Sequence, residues 1–139
     1  MRALASIAVL VLVVGGCGLG EAGMPLPRQQ AGQSYPGDRQ EFAGVLDVSD
    51  FGCFNLAVND ERLFVIWPTG SDYANSDNQY AVRLPGGAVV ADGESVIGTG
   101  AFTPTAPLLA QRDTSLAYAL RSCAPDASEV VVLDTARHG

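Results

Sequence analysis

The sequence predicts a mainly β domain, a small barrel with a short helical stretch before its last strand. Short apolar segments alternate with polar residues and end at turns rich in glycine, proline, asparagine and aspartate, as β-strands and hairpins do. Gly98 and Gly100 remove side chains at alternate positions of one strand, which predicts the bend or bulge that a small closed barrel needs at its corners. Only one stretch has the apolar spacing of a helix.

The first strands are indicated by their apolar spacing. Residues from Glu41 to Val48 alternate apolar and polar side chains with the period of two that a strand requires. After a turn at Ser49-Asp50-Phe51-Gly52, residues 53–58 repeat that pattern, so their apolar side chains share one face. Residues 63–67 are apolar throughout, which predicts a strand covered on both faces.

The middle of the chain predicts a loop followed by a hairpin. Residues 68–79 are mostly polar and begin with proline, threonine and glycine, so we expect an irregular loop there. Strand character resumes over 80–84. Turn residues at 92–94 then predict a hairpin within 88–102.

The helical stretch lies between about residues 106 and 121. Leu109, Leu116 and Leu120 recur at intervals of seven and four residues along one helical face. We therefore expect one or two short helices here, with a break near Asp113, whose side chain would cap the second helix.

The N-terminus carries a targeting pattern. Arg2 precedes an uncharged run, rich in valine, leucine and alanine, that ends in Val14-Gly15-Gly16-Cys17. This pattern resembles the lipobox of bacterial lipoproteins, which implies a signal peptide over 1–16, cleavage before Cys17, and lipid attached to the sulfur of that residue. The alternatives are an uncleaved transmembrane helix, which the glycine-rich end of the run disfavours, and plain secretion with a free thiol.

Both ends of the mature chain are predicted to lie outside the folded domain. Residues 17–40 are expected to form a lipidated cysteine and a flexible tether, because glycine, proline, glutamine and serine dominate there without an apolar period. Such a tether has a root-mean-square reach on the order of 25 Å. A last strand over 129–133 ends the β-barrel domain, which we place at 41–134, and residues 135–139 are expected to be a disordered tail.

A disulfide is predicted between the two remaining cysteines. If lipid occupies Cys17, Cys53 and Cys123 are an even pair in an oxidising compartment. Such a bridge would stabilise a small domain by about 4 kcal/mol in the chain-entropy treatment. Two separate buried thiols are the alternative; a CxxC-like redox pair is disfavoured by the wide spacing.

The charge balance excludes several partners. The chain has 15 acidic residues against 8 basic ones, none of them lysine, and a net charge of −7. A surface this acidic repels nucleic acid and anionic lipid headgroups. We therefore expect no nucleic-acid partner, and contact with the membrane only through the lipid on Cys17.

The sequence provides no recognisable catalytic set. The sole histidine, His138, lies next to the C-terminus, in the predicted tail, where a Ser-His-Asp triad would lack a rigid base. Absence of lysine excludes a Ser-Lys dyad, and the expected fates of the cysteines leave no thiolate nucleophile or cysteine-based zinc site. We predict a protein that is not an enzyme and has no cofactor.

Two acidic segments are candidates for a metal site or a catalytic acid/base pair. Asp72 and Asp77 would offer oxygen ligands to calcium, but their spacing is not that of an EF-hand, and a solvated turn is the favoured interpretation, so no metal is predicted. Asp92 and Glu94 flank Gly93 and are interpreted as turn residues rather than as an acid/base pair.

Three aromatic residues near the predicted polar loop form a candidate ligand platform. Trp67, Tyr73 and Tyr80 would provide rigid, amphipathic contact area for a saccharide or a peptide. The favoured alternative places Trp67 in the core and leaves the two tyrosines as half-exposed barrel residues.

The order of these segments resembles that of a group of uncharacterised small lipoproteins from high-GC Gram-positive bacteria. The similarity covers roughly 41–133 and is carried by Gly52-Cys53, Val65-Ile66-Trp67-Pro68, Gly93, Gly98-Thr99-Gly100 and Arg121-Ser122-Cys123. It implies a compact β-barrel of OB-like character, closed or partly open, in the cell envelope. No activity is established for that group, so the resemblance implies none.

These observations favour a lipid-anchored module on the extracytoplasmic face of the cell membrane, binding an envelope protein or a saccharide, or serving a structural role. The alternative is an inhibitor or sequestering protein whose acidic surface captures a basic secreted enzyme. A hydrolase using carboxylates is the weakest hypothesis, because no paired acids lie in a recognisable cleft.

Overall fold

The structure is a computed structural model that describes residues 26–111 and 114–139. The predicted signal peptide, the lipidation at Cys17 and the predicted cap Asp113 fall outside the described residues. Of the helices that the structure describes, none is long and apolar enough to cross a membrane.

The described chain contains eight strands and two short helices. The strands are β1 Gln40–Val48, β2 Phe54–Val58, β3 Glu61–Ile66, β4 Asp72–Ser76, β5 Gln79–Arg83, β6 Val89–Ala91, β7 Ser95–Pro104 and β8 Glu129–His138. The helices are α1 Ala106–Leu109 and α2 Ser115–Cys123, both before the last strand, as predicted.

Five strands close into a barrel in the order β1-β2-β3-β8-β7, and β7 returns to pair with β1. All pairs are antiparallel except β3 and β8, which run parallel. The remaining strands form a separate sheet in the order β4-β5-β6. The predicted mainly β, OB-like closed barrel is confirmed.

The register of β7 changes at the glycines singled out in the sequence. The pairing of β7 with β8 shifts between Thr99 and Gly100, so the predicted bulge is confirmed. A methyl group at Gly100 would overlap the carbonyl oxygen of Val132, which explains why no side chain fits there. The bulge increases the local twist and helps the barrel to close.

Two hydrophobic cores lie on opposite sides of the barrel wall. The first fills the barrel and extends to the sheet of β4, β5 and β6; its fully buried members include Leu46, Leu56, Val65, Trp67, Val82, Val90 and Leu133. The second lies between the outer face of β3 and β8 and the helices, and includes Phe64, Ile66, Leu108, Leu120, Val130 and Val132. The second half of β3, with Phe64, Val65 and Ile66, is therefore covered on both faces, as the unbroken apolar run over 63–67 predicts.

The predicted disulfide is confirmed. Cys53, just before β2, is bonded to Cys123 at the end of α2, with their Cα atoms 5.7 Å apart. The bridge fastens the helical segment to the outside of the barrel. Helix α2 begins after Thr114, whose side chain accepts a hydrogen bond from the amide of Ala117, so Thr114 is the cap.

The predicted polar loop over 68–79 is wrong for most of its length, because residues from Asp72 onward form the hairpin of β4 and β5. Asp77 and Asn78 adopt left-handed conformations, with φ of 50° and 63°, as a two-residue hairpin turn requires. Strand β5 matches the strand predicted over 80–84, whereas β4 was missed because its side chains are mostly polar; Ala74 on β4 is nevertheless buried.

The predicted tether is also wrong from Leu26 onward, because residues 26–39 pack along the domain. We call this segment the strap. The amide of Trp67 donates to the carbonyl of Pro27, and the amide of Gln29 donates to the carbonyl of Trp67, both at 2.8 Å. Leu26 joins the first core and Tyr35 the second.

The predicted disordered tail is wrong as well. Strand β8 continues to His138, and its residues 135–138 pair with β7, down to Val96 opposite His138. This pairing satisfies backbone groups that a frayed end would leave to water. The polar side chains of residues 135–138 face solvent, so the sequence has no apolar pattern there that would predict a strand.

Candidate functional site at the hairpin end of the barrel

Several connections meet at one end of the barrel, which we call the hairpin end. It comprises the turn Ser49–Cys53 between β1 and β2, the turn Asp92–Glu94 between β6 and β7, and the side chains of Tyr73 and Tyr80. Hydrogen bonds join the two turns through β1. The Asp92 carboxylate accepts from the amide of Val48 at 2.9 Å, and the amide of Leu46 donates to the carbonyl of Glu94 at 2.9 Å.

The turn Ser49–Cys53 is held rigidly. The amide of Ser49 donates to the carbonyl of Cys53 at 3.0 Å, and the amide of Gly52 donates to the carbonyl of Ser49 at 2.8 Å. The Ser49 hydroxyl accepts a further hydrogen bond from the amide of Cys53 at 3.2 Å. Gly52 has a φ of +79°, where glycine carries no steric penalty, and Cys53 is fixed to α2 by the disulfide.

This rigid turn displays an aromatic side chain. Phe51 is 86% exposed, more than any other large hydrophobic residue of the described chain. Sequence reasoning placed Phe51 in a turn and assigned it no role. The signal that would have identified it is an aromatic residue in a short polar turn, two residues before a cysteine that forms a disulfide.

An aromatic cluster lies beside this turn. The ring centroid of Phe54 is 6.1 Å from that of Tyr73 and 6.2 Å from that of Tyr80, and the two tyrosine centroids are 6.2 Å apart. All three contacts are edge-to-face, the favourable arrangement for aromatic rings. Phe54 is buried and the tyrosines are half-buried; within residues 26–111 and 114–139 neither phenol hydroxyl has a hydrogen-bond partner.

The three-aromatic platform predicted from the sequence does not exist in that form. Trp67 is fully buried in the first core, so its ring cannot stack on a ligand. Tyr73 and Tyr80 are the two members that the structure brings together. Trp67 instead matches the alternative, in which it is a core residue; its indole nitrogen is buried without a partner in the described part of the chain.

The two acidic residues considered as calcium ligands do not converge. Asp72 and Asp77 stand at opposite ends of β4, and a strand of that length separates them by roughly 16 Å. Asp72 accepts from its neighbour's amide and pairs with Arg28, while Asp77 is a turn residue. The described residues contain no cluster of three or more potential metal ligands.

Asp92 and Glu94 are turn residues, as predicted, but the predicted hairpin within 88–102 is wrong, because β6 pairs with β5 while β7 pairs with β1 and β8. Glu94 accepts a hydrogen bond from the amide of Ala91 at 2.7 Å and lies 3.4 Å from the ring of His138. The Ala91 hydrogen bond, followed by that of His138, lowers the pKa of Glu94 below its ordinary value. No hydroxyl among the described residues bonds to the His138 ring, which also contacts the carbonyl of Gly139.

Much of the basic charge of the described chain is already neutralised within the protein. Arg62 pairs with Asp47 at 2.6 Å and Arg39 with Asp134 at 2.8 Å, besides the pair of Arg28 with Asp72 at 3.4 Å. At the hairpin end Asp50, Asp92 and Glu94 contribute carboxylates, of which Glu94 alone faces a histidine. Among the described residues Asp50 and Asp92 form no ion pair, so their negative charges remain available to a ligand.

Comparison with models of protein families, with curated proteins and with solved structures yields no match to this chain. The site is therefore interpreted from its own geometry. That geometry combines exposed and half-exposed aromatic side chains with carboxylates on a backbone fixed by hydrogen bonds and a disulfide. Such an arrangement suits binding, because rigid aromatic side chains lose little conformational entropy when a ligand covers them.

Proposed function

We propose that this chain is a lipid-anchored protein of the cell envelope whose folded domain is a binding module on the extracytoplasmic face of the cell membrane. The observation that carries the binding role is the hairpin end, where Phe51, Tyr73 and Tyr80 present aromatic surface on a fixed backbone. The anchoring role rests on the lipobox-like sequence that ends at Cys17.

A saccharide or a peptide of the envelope is the ligand class that the two tyrosines suit. Each tyrosine ring is half-buried, so part of it can contact a ligand. Each hydroxyl has no hydrogen-bond partner among the described residues and can donate to or accept from a ligand. Sugars and peptides present alternating apolar and hydroxyl or amide surfaces to such groups. The negative charge at this end of the barrel favours ligands that are neutral or cationic.

The strap brings the domain close to the membrane in this proposal. Because Leu26 already packs on the first core, only the short segment from Cys17 to Leu26 would act as the leash. A flexible segment of that length has a root-mean-square reach of roughly 15 to 18 Å. The domain would thus act on ligands within the inner part of the envelope.

The anchoring is tested by the variant Cys17→Ala in the cells that produce the protein. We expect Cys17→Ala to incorporate no alkyne-labelled fatty acid and to be lost from the membrane fraction. The matched variant Gly18→Ala should remain labelled and in the membrane fraction. Two attached acyl chains give stable anchoring, so the loss should be nearly complete. Unchanged fatty-acid labelling of Cys17→Ala would refute the anchor.

The binding role is tested with the full chain in detergent, titrated calorimetrically with soluble peptidoglycan fragments. The double variant Tyr73→Phe with Tyr80→Phe removes both hydroxyls and keeps the ring packing. We expect it to bind roughly 30-fold more weakly, because two hydrogen bonds of about 1 kcal/mol each are lost. Tyr118→Phe, at a half-exposed position on α2, is the control; equal affinity of all forms would refute a tyrosine site.

A second function, capture of a basic secreted protein, is favoured by a different observation. The chain has a net charge of −7, and three of the six arginines in the described residues, Arg28, Arg39 and Arg62, pair internally with carboxylates. Long-range attraction would make association with a basic partner fast and sensitive to salt. A partner retained equally at about 0.05 M and about 1 M salt would count against this function, since the Debye length falls severalfold between them.

A further inference from the structure

Phe51 differs from the other exposed apolar residues of the described chain. Val45 and Val89 are 38% and 37% exposed and Tyr118 is 56% exposed, while Phe51 is 86% exposed. Singly exposed apolar side chains are ordinary on protein surfaces. Phe51 is distinguished by where it stands, at the tip of the turn Ser49–Cys53.

The backbone that carries Phe51 is fixed before any partner arrives. Three hydrogen bonds cross the turn between Ser49 and its neighbours Gly52 and Cys53. The disulfide then attaches the base of the turn to α2. Binding through such a turn costs little loop entropy, so less of the free energy gained by burying the Phe51 ring is lost to ordering the backbone.

The charges around the tip decide what kind of surface Phe51 fits. Asp50 is its immediate neighbour, and Asp92 bonds to the amide of Val48 just before the turn. Arg62, the basic residue that faces β1 nearby, is bonded to Asp47 at 2.6 Å. Arg121, two residues before the disulfide on α2, is itself engaged in an interaction. The aromatic tip is thus framed by carboxylates.

We propose that Phe51 is an anchor residue that inserts into an apolar pocket on a basic partner protein, with Asp50 and Asp92 facing basic residues around that pocket. This inference rests on the second proposed function, the capture of a basic protein, and names the residue that anchors that partner. A central aromatic anchor surrounded by polar contacts is the usual composition of a strong protein interface.

A membrane surface is the less favourable occupant. Insertion of Phe51 into a bilayer would carry the Asp50 carboxylate toward the headgroups, where it gains no counter-charge and is repelled by anionic lipids. A basic protein offers both an apolar pocket for the ring and cations for the carboxylates. The charge pattern around Phe51 therefore favours a basic partner protein over a membrane surface.

The partner is identified by position-dependent cross-linking in the cells that produce the protein. Phe51 is replaced by a photoreactive benzoyl-phenylalanine in the full chain, and Tyr118 is replaced in the same way as a control. We expect a protein adduct from position 51 that position 118 does not give, and a partner whose pI is basic. Adducts with lipid only, the same adducts from both positions, or an acidic partner would each overturn the proposal.

Purified partner and purified full chain then measure the roles of the two features. Phe51→Ser should weaken binding roughly 10- to 100-fold, as loss of an interface anchor does. Asp50→Asn with Asp92→Asn should slow association at about 0.05 M salt and have little effect at about 1 M salt. Tyr118→Ser should bind as the unaltered chain does.

Failure of this inference is distinguishable from failure of the proposed function. Phe51→Ser removes only an exposed side chain, so its thermal unfolding should match that of the unaltered chain, and that match excludes misfolding as the cause of lost binding. Unchanged affinity of Phe51→Ser would sink the anchor while leaving the tyrosine site and the lipid anchor to their own tests.

Discussion

Two segments cover the outside of the same barrel, and they are fastened in different ways. The helical segment of α1 and α2, which we call the helical cover, packs Leu108 and Leu120 against β3 and β8. It is bonded covalently to the barrel through Cys53 and Cys123. The strap, residues 26–39, adds Tyr35 to the same core but has no covalent link to the barrel, so this packing is supplemented only by hydrogen bonds and ion pairs.

The difference teaches how a small domain distributes its stability. A disulfide acts mainly by restricting the unfolded chain, so its effect does not depend on any one native contact. Each hydrogen bond of the strap contributes about 1 kcal/mol, and each depends on its particular partner in the native state. The helical cover should therefore be the last part to loosen and the strap the first.

The largest expected effect comes from removing the covalent fastening. The double variant Cys53→Ala with Cys123→Ala should lose about 4 kcal/mol of unfolding free energy, because the bridge closes a separation of 70 residues. Urea unfolding of the purified protein measures this loss. Reduction of the unaltered chain is the control and should reproduce most of it; equal stability with and without reductant would contradict the comparison.

A smaller loss is expected from the apolar contact of the helical cover. Leu120 is 1% exposed and packs in the second core, so Leu120→Ala should cost about 3 kcal/mol through lost burial and a residual cavity. Tyr118→Ala, on the exposed side of the same helix, should change stability by less than about 0.5 kcal/mol. If both variants unfold at the same urea concentration, α2 does not pack as described.

Sequence reasoning succeeded for the helical cover and failed for the strap for a physical reason. The leucines of the helical segment recur with a helical period, and the cysteine pair is visible in the sequence. The strap has no period because its contacts are irregular: Gln29, for example, bonds through its side chain to the carbonyl of Leu133, 104 residues away. Glycine, proline and glutamine describe a flexible linker equally well.

The same limit applies to the candidate site. The sequence placed Trp67, Tyr73 and Tyr80 near one connection but could not say which rings face inward, because that depends on how the sheet of β4, β5 and β6 packs on the barrel. Strand β4 and the polar end of β8 were missed because backbone pairing, not side-chain pattern, holds them. Phe51 was located in a turn, but its display depends on the turn's hydrogen bonds.

The strap itself is tested at its buried glutamine. The Gln29 side chain is 7% exposed and donates to the carbonyl of Leu133 at 2.8 Å, so Gln29→Ala leaves that carbonyl without its partner. We expect a loss of about 1 to 2 kcal/mol. Faster hydrogen exchange at the amide of Trp67, which donates to Pro27, would show that the strap has loosened.

Gln30→Ala is the matched control for the strap, because the neighbouring Gln30 side chain is exposed. It should leave both the urea midpoint and the exchange of the Trp67 amide unchanged. Equal effects of the two substitutions would mean that the strap is held by something other than the hydrogen bond of Gln29.

The smallest expected effect concerns the exposed contacts of Glu94 in the turn between β6 and β7. The amide of Ala91 and then His138 lower the pKa of Glu94 below its ordinary value of 4.5, because both favour the carboxylate. A carboxyl whose pKa is lower in the folded protein stabilises it above the unfolded pKa, and this contribution is lost as the pH falls through the folded value. The urea midpoint of the unaltered chain should therefore fall below about pH 4.5 more steeply than that of Glu94→Gln. Glu41→Gln, at an exposed position on β1, is the control. Parallel pH profiles for the unaltered chain and Glu94→Gln would show that this turn is held by its backbone hydrogen bonds alone. The turn would then contribute less to the free energy of unfolding than either the helical cover or the strap.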